Sequence, residues 1–195
     1  MNREQLEHAI RTACQIIEST EVIVVGSQAI LGSYDEDLLP EAATMSRECD
    51  ILPIADSNEQ TARLADLIEG VAGEWSLFDE QHGFGIDGVD LTTVALPDGW
   101  RERLVRVQSS NTAAPSGKPQ YIGWCLDPHD LCAAKLVAGR EKDGNFVSAL
   151  LEARLIHREV LGERLTSMQL AHPDGIRRAI AWLAAAGDPR GREGG

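Results

Sequence analysis

The sequence predicts an α/β (α+β) fold in which a mixed sheet with flanking helices precedes a helical C-terminal region. Short apolar runs typical of strands alternate with helical periodicity through residues 4–96. A stretch rich in Ser, Pro and Gly follows at 108–120, and beyond it apolar residues recur at helical spacing. We therefore expect an α/β core with its N-terminal helix over 1–120, a helical region over 121–187 and a disordered tail over 188–195.

The composition restricts the possible partners. The 195 residues correspond to one domain, with the 43% apolar and 25% charged residues of an ordinary globular protein. Eighteen basic and 31 acidic residues give a formal charge of −13. This charge argues against a generally basic nucleic-acid binder and against adhesion to anionic membranes, although it permits a local basic groove. Aromatic residues make up only 5% of the chain, which disfavours a platform for stacking single strands.

The sequence indicates neither a membrane nor an oxidising compartment. The longest apolar run near an end, residues 179–186, is far shorter than the ~20 residues that span a bilayer. The first residues are polar, and the cysteines form no C-x-x-C pair. We therefore expect reduced thiols, no membrane partner and a cytoplasmic location. The cysteines are Cys14, Cys49, Cys125 and Cys132.

The first quarter of the chain predicts a helix, a buried strand, a short helix, a loop and a half-buried strand. The first strand is a continuous β-branched run, and the second alternates between polar and apolar residues. Gly26-Ser27 ends the first strand. The five elements are expected at residues 4–18, 21–25, 28–31, 32–47 and 48–54.

The next segment begins with a capping-box pattern, Ser57 and Gln60, ahead of an apolar stripe that predicts a helix. The stripe consists of Leu64, Leu67, Ile68 and Val71. Three strand candidates and a turn at 97–99 follow. The strand candidates are residues 75–78, 84–86 and 89–96.

The C-terminal part predicts three helices. The first begins at Asp127-Pro128, an N-cap followed by proline at the first helical position. A second is expected over 144–155, and a third over 176–183 ends at Gly187-Asp188-Pro189. On the first helix, one face is shared by Leu131, Ala134, Lys135 and Ala138.

Three features form a candidate reaction site. The first strand ends in Gly26-Ser27, where backbone amides can approach a phosphate. Alternation turns Glu48 and Asp50 to one face of the next strand and Cys49 to the other. Asp90 is expected inside an apolar strand, where a carboxylate is costly unless paired or metal-bound. Three carboxylates on neighbouring strands are what a two-Mg²⁺ site requires.

These residues resemble the polymerase-β-like nucleotidyltransferase pattern. The pattern is carried by Val25-Gly26-Ser27, by Glu48-Cys49-Asp50-Ile51 and by Asp90. With residues 98–104 and 130–143, the chain is similar to an uncharacterised bacterial family of nucleotidyltransferase-like proteins, akin to the AbiEii-type toxins of toxin–antitoxin systems. The resemblance covers residues 20–155 and implies a nucleotidyltransferase-type mixed sheet.

The resemblance implies that the protein transfers a nucleoside monophosphate from an NTP substrate with the help of Mg²⁺ or Mn²⁺. Glu48 and Asp50 would bind metal, and Asp90 would be the third metal ligand and candidate base. Arg47, beside the pair, either meets phosphate or balances Glu48. The spacer from Ser27 to Glu48, 21 positions, is longer than usual in the family, so the loop before the acid pair is an insertion.

The phosphate-binding residues are also assigned by resemblance. Gly26 and Ser27 would hold the triphosphate, and Lys135 would neutralise it together with a second cation. That cation is Arg140 or Lys142, and Asp143 would orient one of the cations. The catalytic residues in this interpretation are Asp90, Lys135 and Asp143.

The sequence leaves three hypotheses for the function. The resemblance favours a toxin acting on RNA ends such as tRNA, with a cognate antitoxin protein as partner. One alternative is an antibiotic-type nucleotidyltransferase acting on a cationic small molecule, which suits the acidic loop at 35–37. The other is a degenerate protein that binds a nucleotide or a partner without catalysis. The candidate RNA-binding cations are Arg101, Arg103, Arg106 and Lys118.

Overall fold

The computed structural model describes residues 1–168 and 173–186. The predicted end of the last helix and the predicted tail at 188–195 lie outside these residues. The strands are β1 Glu21–Val24, β2 Glu48–Pro53, β3 Gly85–Gly88, β4 Val105–Val107 and β5 Ile122–Cys125. The α-helices are α1 Arg3–Ile16, α2 Glu41–Thr44, α3 Asn58–Ala72, α4 Leu77–His82, α5 Pro128–Ala138, α6 Glu141–Glu152, α7 Arg158–Ser167 and α8 Pro173–Ala185. Short 3₁₀ helices span Ser27–Gly32, Glu36–Leu38 and Trp100–Arg103.

The five strands form one mixed sheet in the order β3-β2-β1-β5-β4. β1 runs antiparallel to β2 and parallel to β5. β2 and β3 are parallel, whereas β4 and β5 are antiparallel. The predicted mixed α/β fold with C-terminal helices is therefore confirmed.

Helices α1 and α3 cover one face of this sheet at two glycines. A Cβ on Gly123 of β5 would lie 2.2 Å from Ile10 Cδ1 of α1. A Cβ on Gly88 of β3 would lie 1.9 Å from the backbone oxygen of Ala65 in α3. The helices can approach the strands this closely because neither strand presents a side chain there. Cys49 of β2 points into the covered face and is fully buried.

Helix α3 begins as predicted but buries a different face. The Ser57 hydroxyl accepts a hydrogen bond from the Gln60 amide, as expected for an N-cap. Ile68 of the predicted stripe is buried, but Leu67 and Val71 are 46% and 51% exposed. The residues that face the sheet are Thr61, Ala65, Ile68 and Ala72. Apart from Ile68 these side chains are small, which allows α3 to pack close against β3.

Two of the three strand candidates between residues 75 and 96 are wrong. Ser76 caps α4 by accepting a hydrogen bond from the Asp79 amide, so 75–78 leads into a helix. The Asp90 carboxylate accepts hydrogen bonds from the Thr92 amide and hydroxyl, both at 2.6 Å. This local turn ends the strand, because an aspartate bonded to the backbone two residues onward competes with ladder pairing. Only the candidate at 84–86 becomes a strand, β3.

The segment around the expected linker is ordered by long-range contacts. Thr112 is fully buried, and its hydroxyl donates to the Tyr121 carbonyl at 2.9 Å. Immediately afterwards β5, which the periodicity did not predict, enters the sheet between β1 and β4. The sheet therefore includes a strand from beyond the expected boundary at residue 120.

The C-terminal helices pack around α5, which begins at the predicted Asp127-Pro128 cap. Within α5, the buried Asp130 carboxylate receives two hydrogen bonds from Arg103, at 2.9 and 3.1 Å. Arg164 Nε of α7 forms an ion pair with the same carboxylate at 2.9 Å, without hydrogen-bond geometry. This carboxylate therefore joins three separate parts of the chain. Helix α7 itself was not predicted.

All four cysteines are buried and free of disulfide bonds. Among the described residues, no helix is long and apolar enough to cross a membrane.

We predict that Asp130→Ala lowers the free energy of unfolding by about 3 kcal/mol, because two arginines lose a buried counter-ion. Asp174→Ala is the matched control, since its i,i+3 pair with Arg177 is exposed and its loss costs about 0.5 kcal/mol or less. Urea denaturation measures both values. Equal destabilisation by the two substitutions would contradict a structural role for the Asp130 ion pairs.

Candidate functional site

A cleft of about 460 Å³ lies where the end of β1 and the start of β2 meet α5. Its volume is within the range of small-molecule sites. Most of the residues assigned from the sequence line it. These residues are Gly26, Ser27, Glu48, Asp50, Lys135, Arg140 and Lys142.

Gly26 is required by a close approach to Asp50. A Cβ at residue 26 would lie 1.5 Å from Asp50 Oδ2, so any side chain there would overlap the carboxylate. The backbone φ of Gly26 is −84°, which other residues adopt easily, so space rather than conformation demands the glycine. The Val25 amide also donates to the Asp50 carbonyl at 3.0 Å. The turn after β1 therefore lies directly against the Asp50 side chain.

The acid pair is presented as its alternation predicts. Glu48 and Asp50 both line the cleft, while Cys49 between them is buried on the opposite face of the sheet. Burial raises the pKa of Asp50, and the negative charge of Glu48 adds to this effect. The positive charges of Lys135 and Arg140 oppose it. Asp50, which is largely removed from solvent, and the neighbouring Glu48 thus form a negative centre that the nearby cations stabilise.

The cations are held together by a buried carboxylate. Lys135 of α5 is 8% exposed, and its Nζ lies 2.9 Å from Asp143 Oδ1 of α6. Arg140 Nε lies 2.7 Å from the other Asp143 oxygen. Burial alone would raise the pKa of Asp143, but the hydrogen bonds from Arg140 and Lys135 hold it below its usual value. Asp143 therefore positions both cations from behind, and it does not itself line the cleft.

Besides Asp143, two further predicted residues, Arg47 and Asp90, lie outside the cleft lining. Arg47 is exposed, and its Nε donates to the Gly83 carbonyl at 3.0 Å, so its side chain points toward the turn after α4. Asp90 lies in the turn after β3 rather than inside a strand, with its carboxylate bonded to Thr92. These hydrogen bonds lower the pKa of Asp90. The backbone around Asp90 nevertheless contributes to the cleft through Val89 and residues 92–95.

Asp87 is the third acid beside the pair, and sequence reasoning missed it. It is the direct neighbour of Asp50 in the parallel β2–β3 ladder, so both side chains point to the same face. Burial, followed by the charges of Glu48 and Asp50, raises the pKa of Asp87 to about 6. Its side chain lines an adjacent depression on the α3 side, together with Glu69 and Glu74. In the sequence, the alternation Ile86-Asp87-Gly88 indicates that Asp87 points to one face of a strand, but it does not identify the strand that pairs with it.

The donor set fits a divalent metal that arrives with a phosphate ligand. Among the residues described, no group of three or more His, Cys, Asp or Glu is arranged to hold a metal ion alone. Mg²⁺ is commonly held by one or two carboxylates together with substrate phosphates. Glu48 and Asp50 could supply such a pair of hard oxygen ligands, and Lys135 and Arg140 could supply charges for phosphate oxygens.

The acid pair of the mixed sheet thus lies beside the Gly-Ser turn and faces clustered cations. Comparison with protein families shows the class to which a chain with this site belongs. Residues 4–176 match the family described as nucleotidyltransferase of unknown function (DUF6036). Because the match spans most of the chain, the protein belongs to that family. Comparisons with curated proteins and with solved structures return no match.

We predict that Gly26→Ala destabilises the protein by about 1–3 kcal/mol, because the new methyl group displaces either the turn or the Asp50 carboxylate. Gly70→Ala is the matched control. A Cβ at Gly70 meets nothing within 4 Å, and alanine favours its helical position by about 0.5–1 kcal/mol. Thermal unfolding should therefore shift in opposite directions. A Gly26→Ala protein as stable as the wild type would show that the turn has room to move.

We predict that Asp87→Asn stabilises the metal-free protein in a pH-dependent manner. The pKa of Asp87 is raised from 3.8 to about 6 in the folded state, so the native protein retains a proton that the unfolded chain has lost. Wild-type stability therefore falls as pH rises between these values. The gain from the substitution should be absent near pH 3.8 and complete above about pH 7. Urea denaturation in EDTA across this range measures it, and a gain independent of pH would contradict the assignment.

Proposed function

We propose that the cleft transfers a nucleoside monophosphate from an NTP to an acceptor hydroxyl and releases diphosphate. The observation that carries the proposal is the pairing across one cleft of two carboxylates, Glu48 and Asp50, with the Lys135–Asp143–Arg140 cluster. Family membership supports the reaction class. In this reaction the acceptor oxygen forms a bond to the α-phosphorus, the bond to the β-phosphate oxygen breaks, and the hydroxyl proton is released.

The carboxylates and the cations have complementary tasks. Glu48 and Asp50 would hold Mg²⁺ or Mn²⁺, which neutralises charge on the phosphates when bound. Lys135 and Arg140 would hold the β- and γ-phosphate oxygens and stabilise the charge that develops on the leaving diphosphate. Asp143 keeps both cations in place, because it accepts a hydrogen bond from each. Catalysis in this scheme consists of positioning and electrostatic stabilisation.

We assign the place of the third acid to Asp87 rather than to Asp90. The Asp90 carboxylate is already engaged by Thr92 in a turn, whereas Asp87 is adjacent to Asp50 in the sheet. Asp87 would raise the negative potential behind the pair and so favour cation binding. Because Asp87 lines the neighbouring depression, we assign it no contact with the NTP.

For the acceptor, we propose an RNA end such as that of tRNA, in a toxin-type role with an antitoxin protein as partner. The resemblance to AbiEii-type toxins supports this choice. Of the candidate RNA-binding cations, Arg101, Arg106 and Lys118 are exposed. Arg103 is not available, because it forms the buried ion pair with Asp130. The proposed basic surface is therefore smaller than the sequence suggested.

The decisive experiment incubates the full chain with each α-labelled NTP, Mg²⁺ or Mn²⁺, and either total RNA or an aminoglycoside. Label on RNA that requires the divalent ion supports the proposal. Label on the aminoglycoside alone supports the antibiotic-type alternative. NTP binding without transfer to either acceptor, combined with binding to a partner protein, supports the degenerate alternative.

We predict that Asp50→Asn reduces the transfer rate at least a hundredfold while leaving the metal-free protein as stable as the wild type or more stable. Removing one charge from the acid pair relieves repulsion without metal, but it also removes a metal ligand. Asp37→Asn, an exposed aspartate outside the cleft, is the control that should retain full activity. Melting temperature in EDTA and labelled-NTP transfer are measured in parallel. Joint loss of stability and activity would assign Asp50 a structural role instead.

A further inference from the structure

A second pocket, of about 280 Å³, lies on the same face of the sheet as the acid pair. Its floor consists of Ile23 of β1, Leu52 of β2 and Trp124 of β5, which are direct neighbours across the strands. Leu52 follows Asp50 by two residues on β2, so both point to this face at a spacing of about 7 Å. The pocket therefore lies beside the proposed reaction centre.

The chain after β3 forms a wall shared by the two sites. Val89 and residues 92–95 line the cleft, while Leu91 lines the pocket. The turn at Asp90 fixes this alternation, because its carboxylate binds both the amide and the hydroxyl of Thr92. A ligand that occupies the pocket would consequently present its neighbouring groups to the cleft.

The pocket combines an oriented aromatic ring with positive charge. The Trp124 indole donates to Glu21 Oε2 at 2.6 Å, which fixes the ring. Arg101 is the one charged side chain among the described residues that line the pocket. Arg106 of β4 is the direct cross-strand neighbour of Trp124 and is exposed on the same face. The site therefore suits a planar ring that carries an anionic group.

We propose that this pocket is the acceptor subsite and holds one nucleotide unit of the acceptor. The base would contact Trp124, Ile23 and Leu52, and the adjoining phosphate would meet Arg101 and Arg106. This inference rests on the proposed nucleotidyl transfer, because it places the acceptor hydroxyl next to Asp50. The pocket volume accommodates one ring system. Contact with a single base does not require a platform for stacking several bases, for which the chain has too few aromatic residues.

The test measures binding of a fluorescein-labelled short single-stranded RNA to the full chain by anisotropy at fixed salt. Trp124→Leu and Arg101→Gln should each weaken binding roughly tenfold, as expected for loss of one base-stacking contact or one phosphate contact. The matched controls are Trp75→Leu and Arg154→Gln, exposed residues that line neither site. Because Arg101 is exposed, its variant remains informative even where Trp124→Leu impairs folding. The affinity for each Mg·NTP should stay unchanged in every variant.

Competition with AMP distinguishes the source of the nucleotide. Displacement of the labelled RNA by AMP would identify a free nucleotide as sufficient ligand, whereas displacement by unlabelled RNA alone would identify an RNA end. Either result supports the proposed subsite, provided that both pocket variants weaken RNA binding. RNA affinities of both pocket variants equal to those of the controls would overturn it. Failure of the proposed function would be recognised separately, because the wild-type protein would then transfer no nucleoside monophosphate from the NTP.

Discussion

The contact between Gly26 and Asp50 is the constraint on which the arrangement of the site depends. The turn after β1 passes so close to the Asp50 carboxylate that no side chain fits at position 26. The same turn leads into the 3₁₀ helix Ser27–Gly32, and Asp50 belongs to the neighbouring strand β2. The glycine therefore permits the turn and the acid pair to lie together. The proposed binding of a phosphate and a divalent ion in one cleft requires both.

The C-terminal helices contribute the opposite charge to this site. Lys135 lies on α5, and Asp143, which binds it, lies on α6. Because Asp143 is buried and also binds Arg140, the junction between the two helices holds both cations at the cleft. The buried Asp130, with Arg103 and Arg164, anchors α5 to other parts of the chain. The packing of the C-terminal helices thus controls where the positive charge lies.

Much of the cleft could be predicted from the sequence because its features are local. Strand alternation places Glu48 and Asp50 on one face and Cys49 on the other, whatever the strand pairs with. The Asp127-Pro128 cap sets the start of α5 and therefore the position of Lys135 along it. Gly26 was recognisable from the end of a β-branched run. The reason it must be glycine, however, is a contact with a strand over twenty residues away, which periodicity does not contain.

The sequence by itself determined the fold class, the acid pair and the helix that carries Lys135, because each follows from periodicity, capping or turn chemistry within a few residues. Tertiary structure alone decided which further residues lie beside the acid pair. Strand register placed Asp87 next to Asp50. The ion pair with the buried Asp130 engages Arg103, so Arg103 does not belong to the exposed cations. Pairing register and burial depend on residues distant in the chain, so no local pattern could specify them.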